Sequence, residues 1–115
     1  MPIIKRTDIL NEESSGNIIR AFAKAELGAV NLTVSEITVT PGNTVKKHIH
    51  PGHEECMIIL EGTFKSTMGN DTEIVKTGDI IIAPDGIAHG LENISSENAK
   101  FIAIFPTTNV QREWV

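Results

Sequence analysis

The sequence from Gly42 to Gly62 reads GNTVKKHIHPGHEECMIILEG, with two histidines one residue apart and a glutamate shortly after them. Side chains alternate between the two faces of a β-strand, so His48 and His50 are expected to project from the same face. A Pro-Gly pair at 51–52 then ends the strand and turns the chain. Glu55 opens the next apolar run, where its carboxylate can return to the two imidazoles.

A second segment, Gly78–Asn93, reads GDIIIAPDGIAHGLEN and supplies a third histidine after a tight turn. The Pro-Asp-Gly turn at 84–86 ends one strand, so His89 falls on a new strand and can face the first pair. Three neutral imidazoles and one carboxylate suit a borderline divalent cation. We therefore predict one divalent metal ion per chain (Zn, Mn, Fe, Ni, Co or Cu), held by His48, His50, Glu55 and His89.

Short apolar runs separated by turn residues continue on both sides of these segments. Gly, Asn, Asp and Pro residues bound the runs, and no run has a sustained 3.6-residue period. Short runs of this kind are typical of a β-sandwich or barrel. The predicted strands are Ile18–Ala23, Leu32–Val39, Cys56–Leu60, Thr72–Val75, Ile80–Ala83 and Phe101–Phe105. We also expect a hairpin across Met68–Asp71 and one short helical turn within Asp8–Ser14.

Both histidine segments resemble the two motifs of the cupin superfamily at every fixed position. Only 15 residues separate Gly62 from Gly78, which is near the shortest gap found in that superfamily. The resemblance implies an all-β fold, the double-stranded β-helix or cupin jelly-roll barrel, with residues 1–115 as a single cupin domain. It also implies the metal ligands named above.

Two residues adjoin the predicted ligands. Glu54 competes with Glu55 for the carboxylate position, but the six-residue interval that the first motif places before Gly62 runs from Glu55. His53, the fourth histidine, is expected to be exposed or beside the ligands. Glu55 is also the candidate catalytic residue, because a metal-bound carboxylate can shift and accept a proton.

The resemblance leaves two classes of function open. One is a metal-dependent enzyme acting on a small organic molecule, similar to quercetinase-like dioxygenases or to cupins that convert unsaturated sugar acids to linear ketones. The latter also end in a Phe-Pro-like segment and an Arg-Glu pair, as at 105–106 and 112–113, although their acid–base aspartate would fall near Ala103. The other is a metal-dependent binding or sensing protein without turnover. Cupin lyases that use a tyrosine base are excluded, because the chain has no tyrosine.

Residues on the same strand faces as the ligands are expected to lie beneath the metal. They either line a pocket or form the barrel core: Met57, Ile59, Phe101, Ala103 and Phe105. Cys56 is expected to point away from the metal as a small buried apolar side chain.

Composition excludes several classes of partner. The net charge of −5 argues against nucleic acid. The single cysteine permits no intrachain disulfide and favours the cytoplasm. The N-terminus lacks the apolar segment of a signal peptide, and no apolar run approaches the length of a membrane span. The expected ligand is therefore a small molecule.

The protein is predicted to be a homodimer, since small cupins expose sheet faces and an edge strand. The Ile18–Ala23 strand and Trp114 are the candidates for the contact. A frayed C-terminus is the competing interpretation for Trp114.

Overall fold

The computed structural model describes residues 1–115 as eleven β-strands and two 3-10 helices. The strands are β1 (Asn11–Ser14), β2 (Asn17–Ala23), β3 (Thr33–Val39), β4 (Thr44–Ile49), β5 (Glu55–Glu61), β6 (Thr63–Met68), β7 (Asp71–Lys76), β8 (Ile80–Ala83), β9 (His89–Asn93), β10 (Ala99–Phe105) and β11 (Glu113–Trp114). The helices are Arg6–Asp8 and Ala25–Leu27. Neither helix has the length or apolar surface needed to cross a bilayer.

The strands form two antiparallel sheets with a shared core between them. One sheet has the order β1-β2-β3-β10-β5-β8, and the other has the order β11-β4-β9-β6-β7. Strands distant in sequence are neighbours in both sheets, so β4 from the first histidine segment pairs with β9 from the second. The predicted all-β fold, a double-stranded β-helix, is confirmed.

The core follows from strict alternation along the central strands. In β10 every second residue is buried, from Ala99 to Phe105, while the residues between are half-buried. Phe64 from the opposite sheet meets Phe101 edge to face, with 5.8 Å between ring centroids. Each such fully buried aromatic side chain contributes roughly 2–3 kcal/mol of hydrophobic stabilisation. The apolar interior therefore fixes which face of each strand is turned inward.

The turn between β5 and β6 explains why the first motif ends in glycine. Gly62 has φ of 88°, and a Cβ there would lie 2.6 Å from the Cβ of Ala99.

The buried Asn93 ends the second motif and joins it to the first. Its side-chain amide donates to the carbonyl of Val39 at 2.8 Å, and its backbone carbonyl accepts from the amide of Gly42 at 3.0 Å.

The predicted strands and the hairpin at Gly69-Asn70 agree with the structure. The helical turn predicted within Asp8–Ser14 is wrong. A 3-10 helix covers Arg6–Asp8 instead, and β1 pairs with β2 across a two-residue turn at Ser15 and Gly16. Both turn residues have positive φ, a signal for a tight hairpin, and cross-strand pairing prevails over the weak local helix preference.

The structure places the two candidate dimer contacts, the Ile18–Ala23 strand and Trp114, in different sheets. The strand β2 is not an edge strand, because it pairs with β1 on one side and with β3 on the other. Trp114 does not lie in a frayed terminus, since it belongs to β11 and pairs with His48 of β4. Its side chain is nevertheless largely exposed.

The outer face of the larger sheet carries an apolar ladder. Ile102, Ile58 and Ile80 are register partners across β10, β5 and β8, and the next row consists of Ile104, Cys56 and Ile82. Cys56 thus faces away from the barrel interior, as expected, but it is half-buried and not fully buried. β8 is the edge strand of this sheet.

Candidate metal centre

Four side chains from three places in the barrel converge on one point. His48 lies near the end of β4 and His50 directly after it, while Glu55 and His89 open β5 and β9. All four residues are buried, and one donor atom from each lies within 4.8 Å of the others. These are the four residues that the two sequence segments predicted as ligands.

The donor atoms are close enough to share a single cation. The Nε2 atoms of His48 and His50 are 3.0 Å apart. Glu55 Oε1 lies 2.9 Å from His89 Nε2 and 3.1 Å from His50 Nε2. Adjacent ligands at right angles around an ion with bonds of about 2.1 Å are separated by roughly 3 Å.

Backbone carbonyls fix the tautomer of all three imidazoles. His48 Nδ1 donates to the carbonyl of Lys46 at 2.6 Å, and His89 Nδ1 donates to the carbonyl of Ile87 at 3.0 Å. His50 Nδ1 donates to the carbonyl of Gln111 at 2.7 Å. A carbonyl oxygen can only accept, so in each neutral ring the proton is on Nδ1 and the Nε2 lone pair faces the centre.

This arrangement passes the test of whether the residues fit a metal ion. The unprotonated Nε2 atoms of His48 and His50 face each other with no hydrogen to share, and the Glu55 carboxylate adds a negative charge beside them. Such a group of lone pairs is repulsive unless a cation lies among them. Ligating histidines characteristically donate their other ring nitrogen to a carbonyl or carboxylate in this way.

Burial and mutual contacts shift the pKa values of the cluster. Burial lowers the pKa of His48 to about 4 and outweighs the hydrogen bond to the Lys46 carbonyl. Burial alone would raise the pKa of Glu55, but the close contacts of its carboxylate with the His50 and His89 rings prevail and lower it to about 2. For His89, burial is outweighed by the bonds to Glu55 and Ile87, which raise the pKa. The carboxylate is therefore ionised at neutral pH, as a ligand must be.

The neighbouring residues that the sequence left open lie outside the donor group. Glu54 is exposed and His53 is half-buried. The ring of His53 stacks on that of His50 with 5.2 Å between centroids, and its Nε2 accepts from the backbone amide of Gln111 at 3.1 Å. His53 therefore packs beside His50 without contributing a donor atom to the group.

A cavity of about 160 Å³ adjoins the centre. His48, Glu55 and His89 line it, and Glu55 is its only carboxylate. The sequence left open whether the residues beneath the ligands line a pocket or form the core. Four of them line the cavity and also belong to the core cluster: Met57, Phe101, Ala103 and Phe105. Ile59 belongs to the core alone.

The C-terminal segment contributes Arg112, which the sequence offered as a polar neighbour of the site, and Trp114, which the sequence did not place there. The guanidinium of Arg112 lies 5.6 Å from the ring centroid of Trp114, which is 5.6 Å from the ring of His48. Arg112 and Trp114 also line the cavity. Arg112 directly precedes β11 and Trp114 belongs to it, so their two-residue spacing puts both side chains on the same side of the chain. No pattern in the sequence indicates that this side faces the cavity.

Comparisons with known proteins agree with this architecture. The family model described as "Cupin domain" matches residues 35–105. The oxalate-binding protein of Thermotoga maritima is 30% identical over 103 residues, which cover 88% of this chain and 74% of that protein. A germin-like protein of Morus alba is 27% identical over 88 residues, covering 72% of this chain and 42% of that protein. The chain therefore spans less than half of the germin-like relative.

One solved structure shares the fold at low sequence identity. The oxalate decarboxylase of Lactobacillus farciminis, solved as a formate complex, superimposes with a TM-score of 0.84 at 20% identity. The match covers 95% of this chain and 34% of that chain. This likeness concerns the fold.

In metal-free protein, the free energy of unfolding is expected to fall as the pH is lowered from about 6.5 to about 4. The folded-state pKa of His48, about 4, lies below its ordinary value of 6.5, so the unfolded chain binds more protons in this window. The loss should be on the order of 2 kcal/mol. The raised pKa of His89 acts at higher pH, where its stabilisation is lost as the pH rises.

Urea denaturation of chelator-treated protein across this range measures the effect. The variant His48→Gln should flatten the dependence, whereas His53→Gln, outside the donor group, should retain it. A wild-type stability that stays constant or increases on acidification would contradict the assignment.

Proposed function

The chain belongs to the cupin family, and we propose that it binds one divalent metal ion and acts as a metal-dependent enzyme on a small organic acid. The proposed ligands are His48, His50, Glu55 and His89. The observation that carries the proposal is the fixed tautomer of the three imidazoles, which directs three Nε2 lone pairs and one carboxylate at the same point. These donors suit a borderline divalent ion.

Two observations support an organic acid as the substrate. The relative in Thermotoga maritima is named as an oxalate-binding protein, and the Lactobacillus farciminis enzyme as an oxalate decarboxylase. In this chain, the cavity lining includes Arg112 and Lys46 although the protein as a whole has a net charge of −5. A local positive charge of this kind attracts anionic ligands.

The proposed chemistry divides between the ion and the protein. A bound divalent ion would supply Lewis acidity toward a carboxylate or carbonyl oxygen. Glu55 approaches the Nε2 atoms of His50 and His89 through Oε1, which leaves Oε2 to accept a proton from a ligand in the cavity. Arg112 would hold the carboxylate, and the apolar walls would limit access of water.

A binding or sensing protein without turnover is the second candidate. The cavity contains no carboxylate besides Glu55, and the chain has no tyrosine. The pKa of about 2 for Glu55 suits a metal ligand better than a strong base. Turnover by metal-loaded protein on a panel of sugar acids, diketones and catechols separates the two candidates.

The purified protein is expected to carry about one divalent metal ion per chain. The double variant His48→Ala/His50→Ala should lose it, because one imidazole and one carboxylate are too few ligands to hold a borderline ion. Elemental analysis after dialysis measures the content. The variant His53→Ala, which removes the one histidine outside the donor group, serves as the control and should retain the metal. Equal metal in the double variant and the wild type would refute the site.

Glu55→Gln is expected to separate the two proposed roles of that side chain. Three imidazoles suffice to hold a catalytic ion in other proteins, so most of the metal should remain. Turnover should fall by roughly 10²- to 10⁴-fold, because an amide cannot accept the proton. Parallel loss of metal and turnover would restrict Glu55 to the ligand role. Glu54→Gln, a neighbouring exposed carboxylate, should behave as the wild type.

We further propose that the protein forms a homodimer through the apolar ladder of β10, β5 and β8. The chain has a net charge of −5, so two copies repel each other on average. The six ladder positions carry no charge, and contact through them does not bring like charges together. A two-fold axis would bury the same patch on both copies and cover the edge strand β8. An uncharged patch is complementary to itself.

Sedimentation at micromolar concentration should give twice the chain mass of 12.5 kDa. Ile82→Lys should shift the protein to the monomer. Ile74→Lys is the matched control, because Ile74 on β7 is 59% exposed and Ile82 is 62% exposed. A wild-type mass near 12.5 kDa, or a dimer unaffected by Ile82→Lys, would contradict this interface.

A further inference from the structure

The cavity beside the metal centre has mostly apolar walls away from the donors. Ile37, Met57, Leu91, Phe101 and Ala103 come from four strands of the two sheets and enclose it. A small dianion such as oxalate has no apolar group to pack against these walls. The lining therefore points to a ligand with an apolar part.

We propose, on the premise of the proposed function, that the ligand is a monocarboxylate with an apolar body about the size of a benzene ring. Its carboxylate would lie between the metal centre and Arg112, and its body among Met57, Phe101 and Ala103.

The volume of the cavity supports this size. A protein cavity of roughly 150 Å³ is large enough to accept benzene, and the partly open cavity here measures about 160 Å³. A second carboxylate on a body that lies among Met57, Phe101 and Ala103 would meet no charged side chain in those three residues. Burying an unpaired charge costs far more free energy than burying a phenyl ring.

Arg112 is the group best suited to the carboxylate. No carboxylate oxygen of the protein lies within 4.0 Å of its guanidinium. Arg112 lines the same cavity as His48, Glu55 and His89. The planar guanidinium matches a carboxylate in a bidentate manner, and packing near Trp114 restricts where it can lie.

Three 2-oxo acids with the same head group test the proposal. Phenylglyoxylate has a phenyl body, pyruvate has a methyl group, and 2-oxoglutarate has a body that ends in a second carboxylate. Calorimetric titration of metal-loaded protein gives their affinities without requiring turnover. Phenylglyoxylate should bind at least about 10-fold more tightly than the other two, because only its body covers the apolar walls.

Variants at the two ends of the ligand should act differently. Ala103→Leu fills the cavity and should weaken phenylglyoxylate about 10-fold while pyruvate is unaffected. Ser35→Val, at another lining position on β3, is a second filling variant in case Ala103→Leu does not fold. Arg112→Gln should weaken all three acids by about 10- to 100-fold, and Arg112→Lys should restore part of the affinity. Arg6→Gln, on the outer face with Glu36, is the matched control.

Metal analysis of the same samples distinguishes the possible failures. This inference would be overturned if metal-loaded protein bound pyruvate or 2-oxoglutarate as tightly as phenylglyoxylate, or if it bound none of the three acids. Neither result would contradict the proposed metal site. A protein that holds no metal after loading would overturn the proposed function and this inference with it.

Discussion

The site depends on three backbone carbonyls that each accept a hydrogen bond from a histidine Nδ1. Each bond sets the tautomer and limits rotation of the ring, so three lone pairs converge where they would otherwise repel one another. For His48 and His89 the accepting carbonyl lies only two residues earlier in the chain. For His50 it belongs to Gln111, 61 residues away. The centre is therefore correctly formed only when the C-terminal segment lies across the barrel.

The pairing of β4 with β9 brings the two halves of the centre together. His48 and His89 are register partners, and the next residue, Gly90, permits the strands to approach closely. A Cβ at Gly90 would lie 2.9 Å from the carbonyl oxygen of Val45. The ladder is irregular between Val45 and His48. A side chain at Gly90 would push β4 away and separate the imidazoles.

A single strand, β5, serves both the interior and the surface. Its inward residues begin with Glu55 at the centre and continue with Met57 in the cavity wall, while Cys56 and Ile58 join the outer apolar ladder. A change of register by one residue would exchange the two sets. Burial of the inner face therefore aligns the carboxylate with the histidines and also exposes the uncharged patch on the outside.

The strands and the donor set could be predicted from the sequence, because both depend on local rules, whereas the double-stranded β-helix was implied by the resemblance of the two histidine segments to the cupin motifs. Alternation along strands and turn-forming Gly, Pro and Asp residues predicted the strands, and the His-x-His spacing placed two imidazoles on one face. The hairpin of β1 and β2 was missed, since four polar residues carry no alternation and only Ser15-Gly16 indicates the turn. Only the tertiary structure decided where the C-terminal residues lie, because no local pattern tells that the Gln111 carbonyl reaches His50 or that Arg112 and Trp114 reach the cavity. The same holds for the volume and apolar walls of that cavity, which arise from packing between strands distant in the chain.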